Sequence, residues 1–246
     1  MKWIWRRPLV INIQDLPLDA AMALGMVKRG FLSRGLHAFE AWLYRRADMV
    51  ATISPIMIEN VRAKGVSESH LALVPNWIDV QKVAATSSCG GFLAGHPQVQ
   101  GKFVVAYAGN LGIKQGVDLL LRLAKSMEET KQVHFFVIGD GADKPRLLAL
   151  QAELGCRNVS FLPFMAPEEY RAMLAEIDLV FVAQRSGAGN NFFPSKLLGL
   201  MAQSKPLLIA ADEESERARE IRDTGCGVVS RYGDVEGMAA NLRTII

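Results

Sequence analysis

Residues 184–206 read Gln-Arg-Ser-Gly-Ala-Gly-Asn-Asn-Phe-Phe-Pro-Ser-Lys-Leu-Leu-Gly-Leu-Met-Ala-Gln-Ser-Lys-Pro. The apolar run from Leu179 to Ala183 comes directly before them and predicts a buried strand. Small and polar residues follow, and Pro194 and Ser195 then open a short helix, since proline is tolerated near a helix start. A strand, a glycine-rich loop and a helix start together predict an anion site, because the first N–H groups of a helix lack internal partners and that end is partly positive.

Lys196 strengthens the prediction of an anion site. A lysine in the first turn has the wrong sign for the helix dipole, and a bound phosphate would reverse that sign. Taken alone, the loop favours the alternative of a solvated lysine on an ordinary surface helix. The regular pattern of the rest of the chain shifts the balance towards the anion site.

Composition limits the class of protein. The chain has 246 residues, half of them apolar and 22% charged, which is typical of a globular protein. The net charge of +3 is too small to indicate nucleic acid as a partner. Three widely spaced cysteines without a CxxC pair support neither a disulfide framework nor a zinc site, and they favour a reduced, cytosolic compartment. No apolar run approaches the length needed to span a membrane.

Two α/β domains joined by a linker are predicted. Residues 1–79 form a partial N-terminal domain with strands near 8–15, 48–53 and 70–74. Residues 80–101 contain small residues, adjacent glycines and no strong periodicity, which predicts a linker. Residues 102–246 form the second domain.

The pattern is very regular from Lys102 onward. Near-continuous apolar strands alternate with helices, which predicts a parallel sheet covered on both faces and, with right-handed crossovers, a doubly wound α/β fold. The predicted strands are 103–108, 133–138, 159–162, 179–183, 206–210 and 227–230, and the predicted helices are 116–129, 144–154, 167–177, 195–203, 215–223 and 235–246.

The helical pattern from Phe31 to Ala47 has two interpretations. Its apolar positions follow the helical spacing of three and four, and such a stripe more often packs in a core. They are Leu32, Leu36, Phe39, Leu43 and Tyr44. Aromatic residues beside basic ones would also suit a helix lying on a membrane. The same choice arises for residues 1–7, where tryptophans stand beside arginines and an exposed chain end is favoured.

Three turns at the carboxyl ends of strands are candidates for ligand contact, since ligands of doubly wound sheets bind there. They are Gly109-Asn110-Leu111-Gly112, Gly139-Asp140-Gly141 and the loop that follows Ala183. Glycine lets a backbone approach a phosphate closely. The dinucleotide pattern GxGxxG is absent from the first of these turns and the pattern GxxxxGK[ST] is absent too, which argues against nicotinamide, flavin and Walker-type sites. The turns therefore predict a phosphate cradle of another type.

Several of these stretches, in this order, resemble the retaining GT-B glycosyltransferases of family 4, and in particular bacterial members that build exopolysaccharide, capsule and O-antigen units. The resemblance covers nearly the whole chain. It is carried by Gln14-Asp15-Leu16, residues 40–48, Thr52-Ile53-Ser54, residues 74–79, Gly109 to Gly112 with Lys114-Gln115-Gly116, the turn around Phe164, and Pro194-Ser195-Lys196-Leu197-Leu198.

The resemblance implies a mechanism and a set of site residues. A nucleotide sugar, UDP- or GDP-linked, lies between two Rossmann-like domains and needs no obligatory metal or other cofactor. The acceptor hydroxyl attacks the anomeric carbon from the face that the nucleotide leaves, so configuration is retained, and the diphosphate takes the acceptor proton. Catalytic roles fall to Asp15 and Lys196, with the lysine and nearby N–H groups stabilising charge on the leaving diphosphate. The implied donor-binding residues are Gly109, Asn110, Leu111, Gly112, Lys114, Gly139, Phe164, Asn191, Phe192, Phe193, Ser195, Lys196 and Leu197.

The resemblance also implies partners and a location. The acceptor is a lipid-linked saccharide, and the protein is cytoplasmic, with contact to the inner face of the plasma membrane. No nucleic acid takes part.

The sequence departs from the family pattern at the donor site. Many members carry two glutamates eight positions apart, one near the donor sugar and one at the ribose hydroxyls, where this chain has Asn191 and Gly199. Asn110 and Gln115 replace a common arginine and lysine of the first donor loop. These changes put the ribose contacts and the identity of the donor in doubt.

Three hypotheses of function remain open. Relatives would extend roughly a hundred residues before Trp3 and would continue past Ile246, which suggests a truncated product or a part completed by another chain. The chain is therefore either a glycosyltransferase or a nucleotide-binding fragment without acceptor machinery. A nucleotide-sugar epimerase of the same fold is the third hypothesis, although the four histidines form no acid–base cluster for it.

Overall fold

The computed structural model describes residues 7–23, 27, 30–84, 91–130, 132–183, 185 and 195–246. For residues 20, 23, 82, 84, 195, 196, 216 and 217 it describes the backbone only. The chain divides into an N-terminal unit that runs to Trp77 and a C-terminal unit that comprises residues 78–186 and 196–246.

The N-terminal unit contains a parallel three-stranded sheet in the order β1-β2-β3. Its strands are short and mostly apolar, and helices connect them, as parallel pairing requires. Ser54 caps the third helix by accepting a hydrogen bond from the N–H of Met57 at 3.3 Å, and Pro55 occupies the first turn. The elements are β1 (Val10–Ile13), α1 (Pro17–Ala23), α2 (Phe31–Arg46), β2 (Met49–Thr52), α3 (Pro55–Ala63) and β3 (Leu71–Leu73).

The core of the N-terminal unit is small. It is formed by buried side chains from the strands and from the inner faces of the helices. Its members are Ile13, Leu16, Tyr44, Ala47, Val50, Ile53, Met57, Val61 and Val66. Of the apolar stripe of α2 that was expected in a core, Tyr44 belongs to this core and Leu43 is partly buried. Leu32, Leu36 and Phe39 are exposed, so the expectation is confirmed for Tyr44 and wrong for these three residues.

The C-terminal unit contains a parallel six-stranded sheet in the order β6-β5-β4-β7-β8-β9. Every residue of β5, β7 and β8 is buried, so both faces of the sheet are covered. The strands are β4 (Phe103–Ala108), β5 (Val133–Ile138), β6 (Val159–Leu162), β7 (Leu179–Ala183), β8 (Leu207–Ala211) and β9 (Gly227–Arg231). The helices are α4 (Val80–Ala84), α5 (Asp118–Ser126), α6 (Lys144–Leu154), α7 (Pro167–Glu176), α8 (Ser195–Ala202), α9 (Glu216–Thr224) and α10 (Val235–Ile245).

Part of the predicted linker packs onto the C-terminal sheet. Two 3₁₀ turns, Leu93–Gly95 and Pro97–Val99, follow the linker glycines. The Phe92 ring packs edge-on against Phe136 of β5 with ring centroids 5.3 Å apart. Glu176 at the end of α7 accepts a hydrogen bond from the N–H of Leu93 at 2.6 Å and another from the N–H of Gly91. This segment therefore covers part of one face of the sheet.

The α/β class and the doubly wound parallel C-terminal sheet are confirmed. The strand order is the six-strand order of the dinucleotide-binding folds, with its change of direction between β4 and β7. Helices α1 and α4 were not predicted from the sequence. In the part of the chain that the structure describes, no helix is long and apolar enough to cross a bilayer.

Candidate functional site

The candidate site lies at the carboxyl ends of β4, β5 and β7. Strand β4 stands between β5 and β7, and the chain leaves β4 in one direction and returns to the opposite side at β7. At such a point the connections on either side diverge, which opens a crevice where open α/β sheets bind ligands. Two of the three predicted turns, after β4 and after β5, lie at this edge and are described.

The turns after β4 and β5 interlock through backbone contacts. The Gly109 N–H donates to the carbonyl of Ile138 at 2.9 Å, and the Leu111 N–H donates to the carbonyl of Asp140 at 2.8 Å. Gly139 has a φ of +140°, and a Cβ built on it would lie 1.9 Å from the carbonyl oxygen of Gly109. The approach of the two turns therefore requires glycine at residue 139.

Gly141 completes the interlock. Its φ is +157°, and a Cβ built there would lie 2.3 Å from the carbonyl oxygen of Leu111. The Leu111 side chain is fully buried, and its carbonyl accepts from the Asp143 N–H at 2.9 Å. Leu111 thus holds the loop in place, and its N–H and carbonyl both have partners within the protein.

Asp140 brings a negative charge to this edge of the sheet. The Gly141 N–H, at 2.8 Å from its carboxylate, and the Lys144 ammonium, at 3.3 Å, hold the pKa of Asp140 below its usual range. The carboxylate therefore stays ionised and paired, so that Lys144 is already engaged by an anion of the protein.

A 3₁₀ turn, Ile113–Gln115, continues the loop after β4. Gly112 precedes this turn, and a Cβ at residue 112 would lie 2.7 Å from the Gln115 Oε1 atom. That Oε1 atom is buried and has no hydrogen-bond partner among the described residues. Gly116 ends the turn at a φ of +62°, where a Cβ would lie 2.9 Å from the Tyr232 ring. The Lys114 side chain in the turn is exposed.

Arg185, which was not among the predicted site residues, connects the end of β7 to this loop. Its backbone N–H donates to the carbonyl of Lys114 at 3.1 Å, and its Nε donates to the carbonyl of Ile113 at 2.8 Å. These bonds join the loop after β4 to the segment after β7. The two lie on either side of the switch point, which is the place between β4 and β7 where the order of the strands reverses. The signal in the sequence is an arginine at the start of a loop that follows a buried strand, which alone does not reveal its partner.

Charged groups behind the loop fix the start of α5. The guanidinium nitrogens of Arg146 and Arg185 lie 3.6 and 3.7 Å from Oδ1 of Asp118. Arg146 also donates two hydrogen bonds of 2.6 Å to Asp143. Burial, and then the charge of Asp118, raise the pKa of the nearby Tyr232 hydroxyl, so this residue stays neutral at ordinary pH. These ion pairs and hydrogen bonds hold the loop after β4 in place.

The predicted phosphate-binding helix is α8, which begins at Ser195 as predicted. Leu197 is fully buried, so it anchors the helix and presents no side chain to a ligand. Asn191, Phe192 and Phe193 lie outside the described residues, as do the side chains of Ser195 and Lys196. Their predicted contacts stay predictions.

Gly199 has room for a side chain. A Cβ built on it would meet only the Cδ1 atom of Ile78, at 3.8 Å, which is ordinary van der Waals contact. Close packing therefore does not explain why glycine occupies residue 199.

Phe164 follows β6 at the same edge of the sheet and is exposed, as a residue that packs on a base needs to be. It borders a cavity of about 420 Å³ between the 91–96 segment and the start of α7. The lining is mainly apolar and includes Phe92, His96, Leu162, Pro163, Met165 and Glu169. The cavity offers apolar surface beside Phe164.

Asp15 belongs to the N-terminal unit. It is exposed and lies between β1 and α1, at the carboxyl end of its sheet. Its catalytic role stays a prediction, as does that of Lys196. Among the described residues, no group of three or more His, Cys, Asp or Glu side chains is placed to hold a metal ion.

Comparisons with protein families place both parts of the chain. The family model described as "Glycosyl transferases group 1" matches residues 94–246. The model described as "Glycosyl transferase 4-like domain" matches residues 1–77. The first match covers more than half of the chain.

Individual relatives agree with the family matches. The chain is 28% identical over 241 residues to the putative colanic acid biosynthesis glycosyl transferase WcaI of Escherichia coli K12, covering 95% of this chain and 59% of WcaI. It is 26% identical over 221 residues to the probable glycosyltransferase WbjE of Pseudomonas aeruginosa, covering 89% of this chain and 54% of WbjE. The chain thus spans somewhat more than half the length of these relatives.

The fold is similar to that of a solved structure. HepE of Anabaena in complex with UDP superposes with a TM-score of 0.76 at 21% identity, covering 99% of this chain and 64% of that chain. The complex of HepE with UDP-glucose gives a TM-score of 0.75.

Proposed function

This chain belongs to the glycosyl transferases group 1 family, and from that premise we propose that it transfers a sugar from a nucleotide-sugar donor to a saccharide acceptor in the synthesis of a cell-surface polysaccharide. The family membership confirms the resemblance seen in the sequence, and the two parallel α/β units confirm the GT-B fold. The activity, the donor and the acceptor are proposals for the whole protein, of which this chain spans part of the length seen in relatives.

The observation that carries the proposal is the pair of interlocked turns beside the switch point. The turns after β4 and β5 bring Gly109, Gly112 and Gly139 to the edge where open α/β sheets bind ligands. They lie in the part of the chain that matches the family model, and HepE, which shares the fold, binds UDP. We therefore assign the nucleotide to this edge, with its base towards Phe164.

The diphosphate takes its partners from both sides of the switch point. Backbone N–H groups at the start of α8 and the charges of Lys114 and Lys196 oppose the charge that builds on the leaving group. The backbone bonds of Arg185 and the interlocked glycines keep the loop after β4 fixed, so little reorganisation is needed when that charge develops.

The reaction proceeds with retention. The bond between the anomeric carbon and the diphosphate oxygen breaks, and the acceptor oxygen bonds to the same face of that carbon. The proton of the acceptor hydroxyl passes to the departing diphosphate oxygen. Asp15 contributes from the acceptor side, and no metal ion is needed for these steps.

The acceptor is a lipid-linked saccharide, which places the protein at the cytoplasmic face of a membrane. In support, WcaI is named for the biosynthesis of colanic acid, and large apolar side chains of α2 in the N-terminal unit, among them Phe31 and Phe39, are exposed.

Thermal unfolding with nucleotides tests the donor site. The 246-residue chain is heated alone and with UDP, GDP or AMP, together with variants Lys196→Ala and Lys125→Ala. Lys125 is a half-exposed lysine of α5 paired with Glu128 and serves as the matched control. A ligand at about 100 times its dissociation constant adds about 2.7 kcal/mol to the unfolding free energy.

We expect UDP or GDP to stabilise the chain and AMP not to do so. The Lys196→Ala variant should lose most of that stabilisation and the Lys125→Ala variant should keep it. Absence of any nucleotide effect on the well-folded chain would contradict the donor-site assignment. Transfer of labelled sugar to a lipid-linked acceptor by the chain then tests the reaction itself.

A further inference from the structure

The cavity beside Phe164 has walls that are fixed by contacts within the C-terminal unit. Its volume of about 420 Å³ is in the range of small-molecule sites. On one wall the rings of Phe92 and His96 pack edge-on against Phe136, with ring centroids 5.3 and 5.1 Å apart. Glu176 accepts hydrogen bonds from backbone N–H groups of the same wall. The cavity is therefore preformed and needs little ordering when a ligand binds.

The polar side chains that line this cavity are hydrogen-bond acceptors. Among the described lining residues they are Glu169 and His96. One oxygen of the Glu169 carboxylate accepts from the N–H of Ala166 at 3.1 Å, and the other has no donor among the described residues. The Nδ1 atom of His96 lies 2.7 Å from the carbonyl oxygen of Phe92 and donates to it, so Nε2 of the neutral ring is an acceptor. With His96 neutral, the described lining offers acceptors and no side-chain donor.

The rest of the lining suits a flat ring with apolar faces. Phe92 and Phe164 contribute aromatic rings, and such rings stack on the faces of planar heterocycles. A carbonyl oxygen that faced the Glu169 carboxylate would be repelled and left without a donor, which is unfavourable. The occupant that fits is therefore a planar heterocycle whose polar edge carries N–H donors. Further apolar surface comes from Leu162, Pro163, Met165 and Ala172.

The cavity lies within reach of the nucleotide edge. It borders Phe164 at the carboxyl end of β6, and β6 lies two strands from β4 in the same sheet. Two strand spacings amount to about 10 Å, a distance that the ribose of one nucleotide can bridge. A base whose diphosphate lies at the turn after β4 can therefore occupy the cavity.

We propose that this cavity selects guanine as the base of the donor, with the Glu169 carboxylate accepting from the ring N1–H and from the exocyclic amine. Guanine carries these two donors side by side on one edge, so that a carboxylate accepts both in a charge-assisted pair. Uracil has a single N–H between two carbonyl oxygens, and adenine has an acceptor in place of the N1–H. Either base would leave an acceptor facing the carboxylate, which lowers its affinity. The donor class is then a sugar linked to guanosine diphosphate.

This inference rests on the proposed function, because it names the base of the nucleotide-sugar donor that the proposed function needs. Its test reads nucleotide affinity alone, without an acceptor and without sugar transfer. Binding of any nucleoside diphosphate tests the donor site, and the ranking of the bases tests the inference.

The experiment is calorimetric titration of the 246-residue chain with GDP, inosine diphosphate, ADP and UDP. Inosine diphosphate lacks the exocyclic amine and otherwise has the base of GDP. The test variant is Glu169→Gln, which keeps an acceptor for the Ala166 N–H because glutamine also completes a capping box. The matched control is Glu168→Gln, at an exposed glutamate in the same turn whose partner is Arg171 at 2.8 Å.

We expect the parent chain to bind GDP about tenfold more tightly than inosine diphosphate, ADP or UDP, because the pair with the carboxylate is lost with each of the three. UDP still binds through its ribose and diphosphate. In the Glu169→Gln variant the affinity for GDP should fall about tenfold, to that of inosine diphosphate, while the affinity for UDP does not fall. The Glu168→Gln variant should bind all four nucleotides like the parent, and both variants should unfold at the same urea concentration as the parent.

Two results would overturn the inference and leave the donor site in place. One is binding of UDP by the parent chain as tight as that of GDP. The other is an unchanged preference for GDP in the Glu169→Gln variant, which would assign the selection of the base to other residues. If no nucleoside diphosphate binds the folded chain, the donor-site assignment fails and the inference fails with it.

Discussion

Replacement of Gly139 by alanine tests whether the interlock of two turns shapes the nucleotide edge. Gly139 ends β5 with a φ of +140°, a backbone conformation that L side chains rarely adopt. The added Cβ would lie 1.9 Å from the carbonyl oxygen of Gly109, where real contacts essentially never fall under 3.0 Å. The carbonyl must therefore move by more than an ångström.

The magnitude has two parts. The unfavourable backbone conformation costs about 1–3 kcal/mol. Displacement of Gly109 disrupts the two hydrogen bonds that join the turns, from Gly109 to Ile138 and from Leu111 to Asp140, at about 1 kcal/mol each. We expect Gly139→Ala to lower the unfolding free energy by about 3–5 kcal/mol.

Gly155→Ala is the matched control. Gly155 also has a positive φ, +67°, but a Cβ built on it meets nothing within 4 Å. Only the left-handed conformation is penalised there, by about 1–2 kcal/mol. The two variants should therefore differ by about 2 kcal/mol, which corresponds to the two hydrogen bonds lost through the contact with Gly109.

Urea unfolding followed by far-ultraviolet circular dichroism gives the measurement. Tryptophan fluorescence is unsuitable for it, because the four tryptophans, at positions 3, 5, 42 and 77, all precede the C-terminal unit. UDP affinity is measured on both variants under conditions where they are folded. Equal destabilisation by Gly139→Ala and Gly155→Ala, with unchanged UDP affinity, would refute the reasoning that this contact shapes the site.

Two further predictions concern single residues. Gly199→Glu should raise UDP affinity about tenfold, because the glutamate adds a charged hydrogen bond to the ribose. Gly199→Ala stabilises the helix by about 1 kcal/mol and should leave UDP affinity unchanged. If calorimetry gives equal affinities for the two variants, residue 199 does not contact the ribose. His134 is buried in β5, and its burial, together with the charges of Lys102 and His96, lowers its pKa to about 4 from an unfolded value of 6.5. The unfolded chain therefore binds this proton more tightly than the folded chain does. As a result, the free energy of unfolding has its full value above pH 6.5 and falls by up to about 3 kcal/mol as the pH drops towards 4. Urea titrations at several pH values should show a shallower loss for His134→Gln but not for His70→Gln at an exposed site; parallel pH profiles for His134→Gln and the parent would contradict the assignment.

The strands of the C-terminal unit could be predicted from the sequence because each is a short apolar run bounded by polar or glycine-containing turns. Strands β4, β5, β6 and β7 have the bounds that the sequence predicts, and α6 does as well. Their order in the sheet could not be predicted from periodicity, since it depends on pairing between residues far apart, such as Val105 with Leu179. The position of the site at a switch point therefore became visible only in the structure.

Helices and turns without a distinct polar face were not predicted from the sequence. Helix α1 reads Pro-Leu-Asp-Ala-Ala-Met-Ala, in which a helical stripe is not separable from a general excess of small apolar residues. The residues of α4 and of the two following turns show no period, and the 91–96 segment is placed by tertiary contacts, among them the ring of Phe92 on Phe136 and the carboxylate of Glu176. Arg185 escaped notice for the same reason, because its partners are carbonyl groups about 70 residues away in sequence.

Helix α2 shows what a periodic pattern can and cannot establish. Spacings of three and four correctly indicate that Leu32, Leu36 and Phe39 share a face, but they do not indicate whether that face meets a core. Here the inward face is occupied by Tyr44 and Glu40, whose polar groups are satisfied by the network around Lys64. A satisfied polar network can thus hold the inner position while the apolar stripe remains in water, where its exposure is unfavourable by about 25 cal/mol for each Å² of apolar surface. Because contact of these side chains with water is unfavourable, their replacement by serine should not lower the free energy of unfolding.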